Sequence, residues 1–84
     1  MDGIDFDHGL TTTNIAEAQL NQKMISVSQE VIVLADSSKF GKRGFGRICG
    51  IDQINHVITD NGVTPDIIEK FKEHGIEVTI VQTT

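Results

Sequence analysis

The chain has 84 residues, 38% of them hydrophobic, with four Phe, no Trp or Tyr, one Cys and a formal charge of −5 at pH 7. A chain this short makes at most one small domain and buries only about 60% of the surface that its unfolded form exposes, so marginal stability is expected unless something covers it, as in a fragment or an assembling chain. The negative charge argues against an autonomous nucleic-acid-binding module, which needs a basic face to displace counterions from phosphates. Cys49 cannot close an internal disulfide and His8, His56 and His74 stand isolated, so nothing indicates an oxidising compartment or a metal site, and no cofactor is expected. The longest apolar run is about five residues against the roughly 20 that cross a bilayer. The amino terminus also lacks a basic segment followed by an apolar one. The chain therefore reads as cytoplasmic, without a membrane partner.

Residues 1–12 carry Asp2, Asp5 and Asp7 with Gly3 and Gly9 and have no period of their own, like a chain entering in the middle of a fold. A helix is predicted from Asn14 or Ile15 to Val27, because Ala16, Leu20, Met24 and Val27 recur at helical spacing as one apolar stripe. Asn14 can cap its first free N–H groups, and Glu17 can reach back in a capping box or face a ligand. Val31 to Ala35 reads as a strand, followed by the loop Asp36–Gly41. Over 42–50 the glycines are too many for a long helix, each costing roughly 1 kcal/mol against alanine, and a short helix or turn is expected near Phe45–Cys49. Those glycines match neither the P-loop nor the dinucleotide fingerprint.

A helical turn is expected around Ile51–Ile54, and Val57-Ile58-Thr59 centres a second strand that ends at Asp60-Asn61-Gly62. Thr64-Pro65-Asp66 opens a helix with a cap residue, a proline at the first helical position and an acid near the positive end of the dipole. Ile67, Ile68 and Phe71 face its core side, and Gly75 ends it. A last strand spans about 76–82. Helix, strand, short helix, strand, helix, strand implies right-handed parallel crossovers, hence an α/β fold with a three-stranded parallel sheet flanked by helices.

The candidate site follows from the run Val31 to Gly41. Continuous Val/Ile/Leu strands belong to parallel sheets, and ligands of open α/β sheets collect outside the carboxyl ends of such strands. Asp36, Ser37, Ser38 and Lys39 stand at that position. A lysine beside short hydroxyls suits a phosphate or polyol oxygen, while the alternative reading is simple turn chemistry. Lys39, Lys42, Arg43 and Arg47 place four of the seven basic residues within nine positions. That clustering points to a small anionic ligand, or to a solvated loop that keeps the protein soluble.

Gly3-Ile4-Asp5, Gly9-Leu10-Thr11-Thr12, the helix Glu17-Ala18-Gln19 to Lys23-Met24-Ile25, and above all Asp36-Ser37-Ser38-Lys39-Phe40-Gly41 resemble the carboxy-terminal effector domain of DeoR-type bacterial sugar-metabolism repressors. The likeness runs to Gly75-Ile76-Glu77-Val78 and is nearest to regulators of galactitol and related hexitol or amino-sugar pathways. The resemblance implies an α/β fold shared in part with ribose-phosphate isomerases, glucosamine-phosphate deaminases and CoA transferases, with an extra short strand near Gly3–Asp5. It also implies that residues 1–84 form the carboxy-terminal half of an effector domain, about the last third of a regulator. The DNA-binding winged helix and an earlier phosphate-gripping loop would lie outside this chain.

The implied effector is a phosphorylated sugar or sugar alcohol, sensed by a homo-oligomer that meets operator DNA only through the missing domain. Carried over by position, the pocket residues contained here are Asp5, Thr11, Thr12, Glu17, Asp36, Ser37, Ser38 and Lys39, with Lys39 the foremost. Lys42, Arg43 and Arg47 are not motif positions. Two other classes compete with a non-enzymatic sensor. One is a sugar-phosphate isomerase or deaminase relative, with Glu17 or Asp36 as base and Lys39 stabilising negative charge; the other is a purely structural oligomerisation module. Fold similarity does not choose among them.

Overall fold

A computed structural model describes residues 2–42, 44 and 46–82. In chain order the elements are β1 (Gly3–Asp5), β2 (Gly9–Thr12), α1 (Ile15–Ser26), β3 (Ile32–Leu34), a 3-10 turn (Ser37–Lys39), β4 (Gly46–Cys49), a second 3-10 turn (Ile51–Gln53), β5 (His56–Asp60), α2 (Pro65–Glu73) and β6 (Glu77–Val81). They form two three-stranded sheets, one in the order β1-β2-β4 and one in the order β3-β5-β6.

The second sheet is parallel throughout, as the three apolar runs imply. Its register aligns Val33 with Val57 and Val57 with Val78, so these three β-branched residues share the face that turns to the core, where Val57 has 0% exposure. α2 crosses from β5 to β6 with Pro65 at its start. It ends as His74 gives way to Gly75, whose φ of 75° is open to glycine at little cost. Phe71 is the largest fully buried side chain, with its ring centroid 4.9 Å from Phe6 and 5.7 Å from Phe40.

The first sheet is antiparallel and only partly anticipated. The strand expected at Gly3–Asp5 is present, but it pairs with β2, a segment without a visible period because all four of its residues are buried. The short helix or turn expected near Phe45–Cys49 is instead strand β4; Phe45 itself lies outside the described residues. Gly46, Ile48 and Cys49 are buried and Arg47 is exposed, so alternation covers only the first three residues, and the glycine count obscured even that. Glycine is there for closeness: a Cβ on Gly46 would come within 2.9 Å of the Ala18 methyl on α1. The crossover from β3 to β5 thus detours through the other sheet. The first sheet also meets the loop that leaves β3, where Ile4 bridges Phe40 and the Gly41 N–H donates to the Ile4 carbonyl at 2.8 Å.

α1 begins as its sequence signals, with Asn14 Oδ1 accepting the Glu17 N–H at 2.9 Å. Its apolar stripe, however, is not the face that it buries. Ala18 is buried and Asn21 and Ile25 are half-buried, whereas Leu20 is 62% and Val27 77% exposed, with Ala16 and Met24 also facing out. Edge strand β3 repeats the pattern, since Val33 points inward while Leu34, on the other face, is 73% exposed. A groove of about 300 Å³, lined by Met24, Ile25, Ile32 and Leu34 among others, runs between α1 and this edge. No described helix is long and apolar enough to cross a membrane.

Two outcomes are expected. Phe71→Ala should cost about 3–5 kcal/mol, read as a lowered urea midpoint, while Lys72→Ala on the exposed side of α2 should change it little. The uncovered apolar surface should drive concentration-dependent association of the chain. In light scattering, the pair Leu20→Lys and Met24→Lys should reduce the apparent mass without loss of helical circular dichroism, and an unchanged mass would place the association elsewhere.

Candidate functional site

The carboxyl ends of β3 and β5 lie side by side because the strands are parallel and in register, and the Ala35 N–H extends the pairing by donating to the Ile58 carbonyl at 3.1 Å. The chain leaving β3 therefore enters its 3-10 turn beside the chain leaving β5. Two carboxylates fix that turn. Asp36 is its cap, with Oδ1 accepting the Ser38 N–H at 2.9 Å and also the Ser38 hydroxyl. Asp60, at the end of β5, accepts the Ser37 N–H on Oδ2 at 3.0 Å and the Gly62 N–H on Oδ1 at 2.7 Å. The two exits lie close at Gly62, where an added Cβ would meet the Ser37 hydroxyl and force it to move.

These contacts determine the electrostatics. The Ser38 hydroxyl and N–H hold the Asp36 carboxyl below its ordinary range, with the Lys39 charge a smaller contributor. Asp60 is held low by the Ser37 and Gly62 N–H groups and the Ser37 hydroxyl. Asp36 Oδ1, both oxygens of Asp60, both serine hydroxyls and the N–H groups of Ser37 and Ser38 thereby take part in bonds that hold the turn. Lys39 is different. It is half-buried, and its side chain makes no hydrogen bond or ion pair among the described residues. The site therefore offers one ammonium on a stitched turn at the mouth of a parallel sheet, suited to an electron-rich oxygen.

The other expected site residues fall elsewhere. Asp5 flanks the turn through the Ile4–Phe40 bridge, and its Oδ1 caps the β1–β2 hairpin by accepting the N–H groups of Asp7 at 2.9 Å and His8 at 2.6 Å. It also borders an apolar cleft of about 230 Å³ among Ile4, Phe6, Phe40, Ile67, Lys70 and Phe71. Thr11 and Thr12 are buried in β2. The Thr11 hydroxyl donates to the Gly3 carbonyl at 3.4 Å and accepts the Gly44 N–H at 2.7 Å, while the Thr12 hydroxyl donates to Asp2 Oδ2 at 2.9 Å and accepts the Asn14 N–H at 3.3 Å. Glu17 sits half-buried in the first turn of α1.

Lys42 and Arg47 are exposed, and Arg43 lies outside the described residues. Among the described residues no three metal-ligating side chains come together. Sequence reading missed Asp60 and Gly62 as parts of the turn. The available signal was a second polar exit, Asp60-Asn61-Gly62, from a strand parallel to the first.

Because folding depresses both carboxyl pKa values, the stabilisation they give is present above the ordinary 3.8 and is lost as pH falls below it through the folded values. Amide resonances of Ser37, Ser38 and Gly62 should stay unchanged from pH 7 to 5 and move only under stronger acid. Movement centred near pH 5 would contradict this assignment of hydrogen bonds.

Comparison with known proteins adds the family context. The family described as "DeoR C terminal sensor domain" matches residues 1–61. The chain is 37% identical over 81 residues to a "Putative aga operon transcriptional repressor" of Escherichia coli O157:H7, covering 96% of this chain and 30% of that protein. It is 34% identical over 79 residues to the "Uncharacterized HTH-type transcriptional regulator YulB" of Bacillus subtilis strain 168, covering 94% and 31%. Against the "HTH-type transcriptional regulator UlaR" of Escherichia coli O1:K1 / APEC it is 36% identical over 70 residues, covering 83% and 28%. The chain thus spans a little under a third of the length of these relatives.

Proposed function

The chain belongs to the DeoR C-terminal sensor domain family, and on that premise we propose that residues 1–84 are the carboxy-terminal half of the sensor of a transcriptional repressor, which takes a phosphorylated sugar or sugar alcohol. The observation that carries the reading is Lys39, a cation that makes no side-chain hydrogen bond or ion pair among the described residues, on a turn whose serines are held by Asp36 and Asp60. In this reading Lys39 donates to a hydroxyl, carbonyl or phosphate oxygen of the effector. The remaining pocket wall and the operator-binding part come from polypeptide that the relatives possess beyond this stretch.

The operon served is one of carbohydrate use, galactitol or a related compound, and the fold is part of the type shared with sugar-phosphate isomerases, deaminases and CoA transferases. The regulator works as a cytoplasmic homo-oligomer, and effector binding shifts operator affinity because the two arrangements of the oligomer bind effector unequally. In this reading Asp5 borders the site through the Ile4–Phe40 bridge, while Thr11 and Thr12 in β2 and Glu17 in α1 stand apart from the turn and support it at a distance. Catalysis is disfavoured by the chemistry of the turn. A carboxylate held below its ordinary pKa, as Asp36 is, makes a poorer general base near neutral pH than one raised toward it.

The test is a titration of a polypeptide of the relatives' length that carries this chain, with galactitol 1-phosphate, glucosamine 6-phosphate and glucose 6-phosphate. Saturable binding without turnover is expected for at least one of them, together with altered retention of operator DNA. Lys39→Ala should weaken that binding by about 1.5–3 kcal/mol, roughly one to two decades. Lys39→Arg should also weaken it, because a planar guanidinium places its donors differently. Lys42→Ala should have a smaller effect that fades with salt. Wild-type affinity in a folded Lys39→Ala protein would remove Lys39 from the site, and turnover of the sugar phosphate would replace the sensor with an enzyme.

A further inference from the structure

We infer that Asp60 is the positioning residue of the effector site: it fixes where Lys39 stands without touching the ligand itself. The inference rests on the sensor reading above and adds a residue from a different strand. β3 alone gives the Ser37–Lys39 turn little to lean on, for it is three residues long and lies at the edge of its sheet. β5 is paired on both sides, with β3 and with β6, and Asp60 is its last residue.

One carboxylate there accepts from both loops, taking the Ser37 N–H on Oδ2 at 3.0 Å and the Gly62 N–H on Oδ1 at 2.7 Å. The loop after β5 also passes close to Ser37, for a Cβ added at Gly62 would meet the Ser37 hydroxyl. From Ser37 the constraint passes along the turn, since the Lys39 N–H donates to the Asp36 carbonyl at 3.1 Å and Asp36 holds Ser38 by its side chain. The central strand therefore sets the place of the Lys39 backbone through Asp60. The carboxylate suits this task because it is ionised at neutral pH and both of its oxygens accept.

The experiment uses Asp60→Asn, Lys39→Ala and the double variant in the same relative-length polypeptide. It reads amide hydrogen exchange without ligand and calorimetric affinity for whichever of galactitol 1-phosphate, glucosamine 6-phosphate and glucose 6-phosphate binds the wild type. Asparagine keeps one accepting oxygen where the carboxylate has two, so Asp60→Asn should lower the combined protection of Ser37 and Gly62 and leave it intact at Val57 in the core. Affinity should fall about tenfold. Because Asp60 acts through Lys39, the double variant should bind no more weakly than Lys39→Ala alone.

Gly62→Ala pushes on Ser37 without changing charge and should reproduce the affinity loss, which keeps the test decisive should the asparagine variant fold poorly. Losses that multiply in the double variant would make Asp60 an independent contributor and overturn the inference. Unchanged affinity despite lost protection at Ser37 and Gly62 would also overturn it. If Lys39→Ala itself binds as the wild type does, the sensor reading of this turn fails and the inference falls with it, a result distinguishable because the exchange data still report whether Asp60 holds Ser37.

Discussion

β5 hydrogen-bonds along both edges, and its Val57 is closed from solvent by the core beneath. That double pairing is the constraint on which the remaining structure depends. It sets the register of β3 and β6, and so brings the two strand exits level with each other. Val57 of β5 joins Phe71 of α2 in one core, and the strand presents Asp60 within reach of the chain leaving β3. A slip of one residue would turn Val57 outward and carry Asp60 away from Ser37, because side chains alternate with a period of two.

The polar groups at these exits divide their work by geometry. Asp36 and Asp60 satisfy donors that the turn would otherwise leave to water, and they do so from opposite ends. A turn held in this way has already lost much of its conformational freedom before any ligand arrives, so less ordering remains to oppose binding. The lysine that follows is long and flexible, but its backbone is not.

The parallel half of the fold was legible because its signals are local. Apolar runs end in polar exits, Pro65 starts a helix and Gly75 stops one, and each of these appears where its chemistry requires. The antiparallel half was not, for a different reason in each strand. β2 is buried at every position, so Gly9-Leu10-Thr11-Thr12 shows no alternation, while in β4 the inward position of Gly46 is filled by closeness to Ala18 instead of by a side chain. The apolar stripe expected on α1 faces out, because periodicity states only that apolar residues share a face. Which face meets the rest of this chain depended on Ala18 and on Gly46 opposite it. Within the site, the Asp36–Lys39 turn was visible as a strand exit, whereas Asp60 required knowing that β3 and β5 are neighbours.

The place of Cys49 has a consequence for how the chain can be watched. Its thiol is buried in β4 opposite Leu10, and burial pushes its pKa above the ordinary value. A thiol so placed is slow to react with alkylating reagents until the strands around it part. The chain has no other cysteine, so every labelling event counts an opening at this one place. Amide exchange at Val57 counts openings of the parallel sheet. The two clocks run in one molecule without any added probe, and their ratio tells whether the halves of the fold come apart together or one at a time.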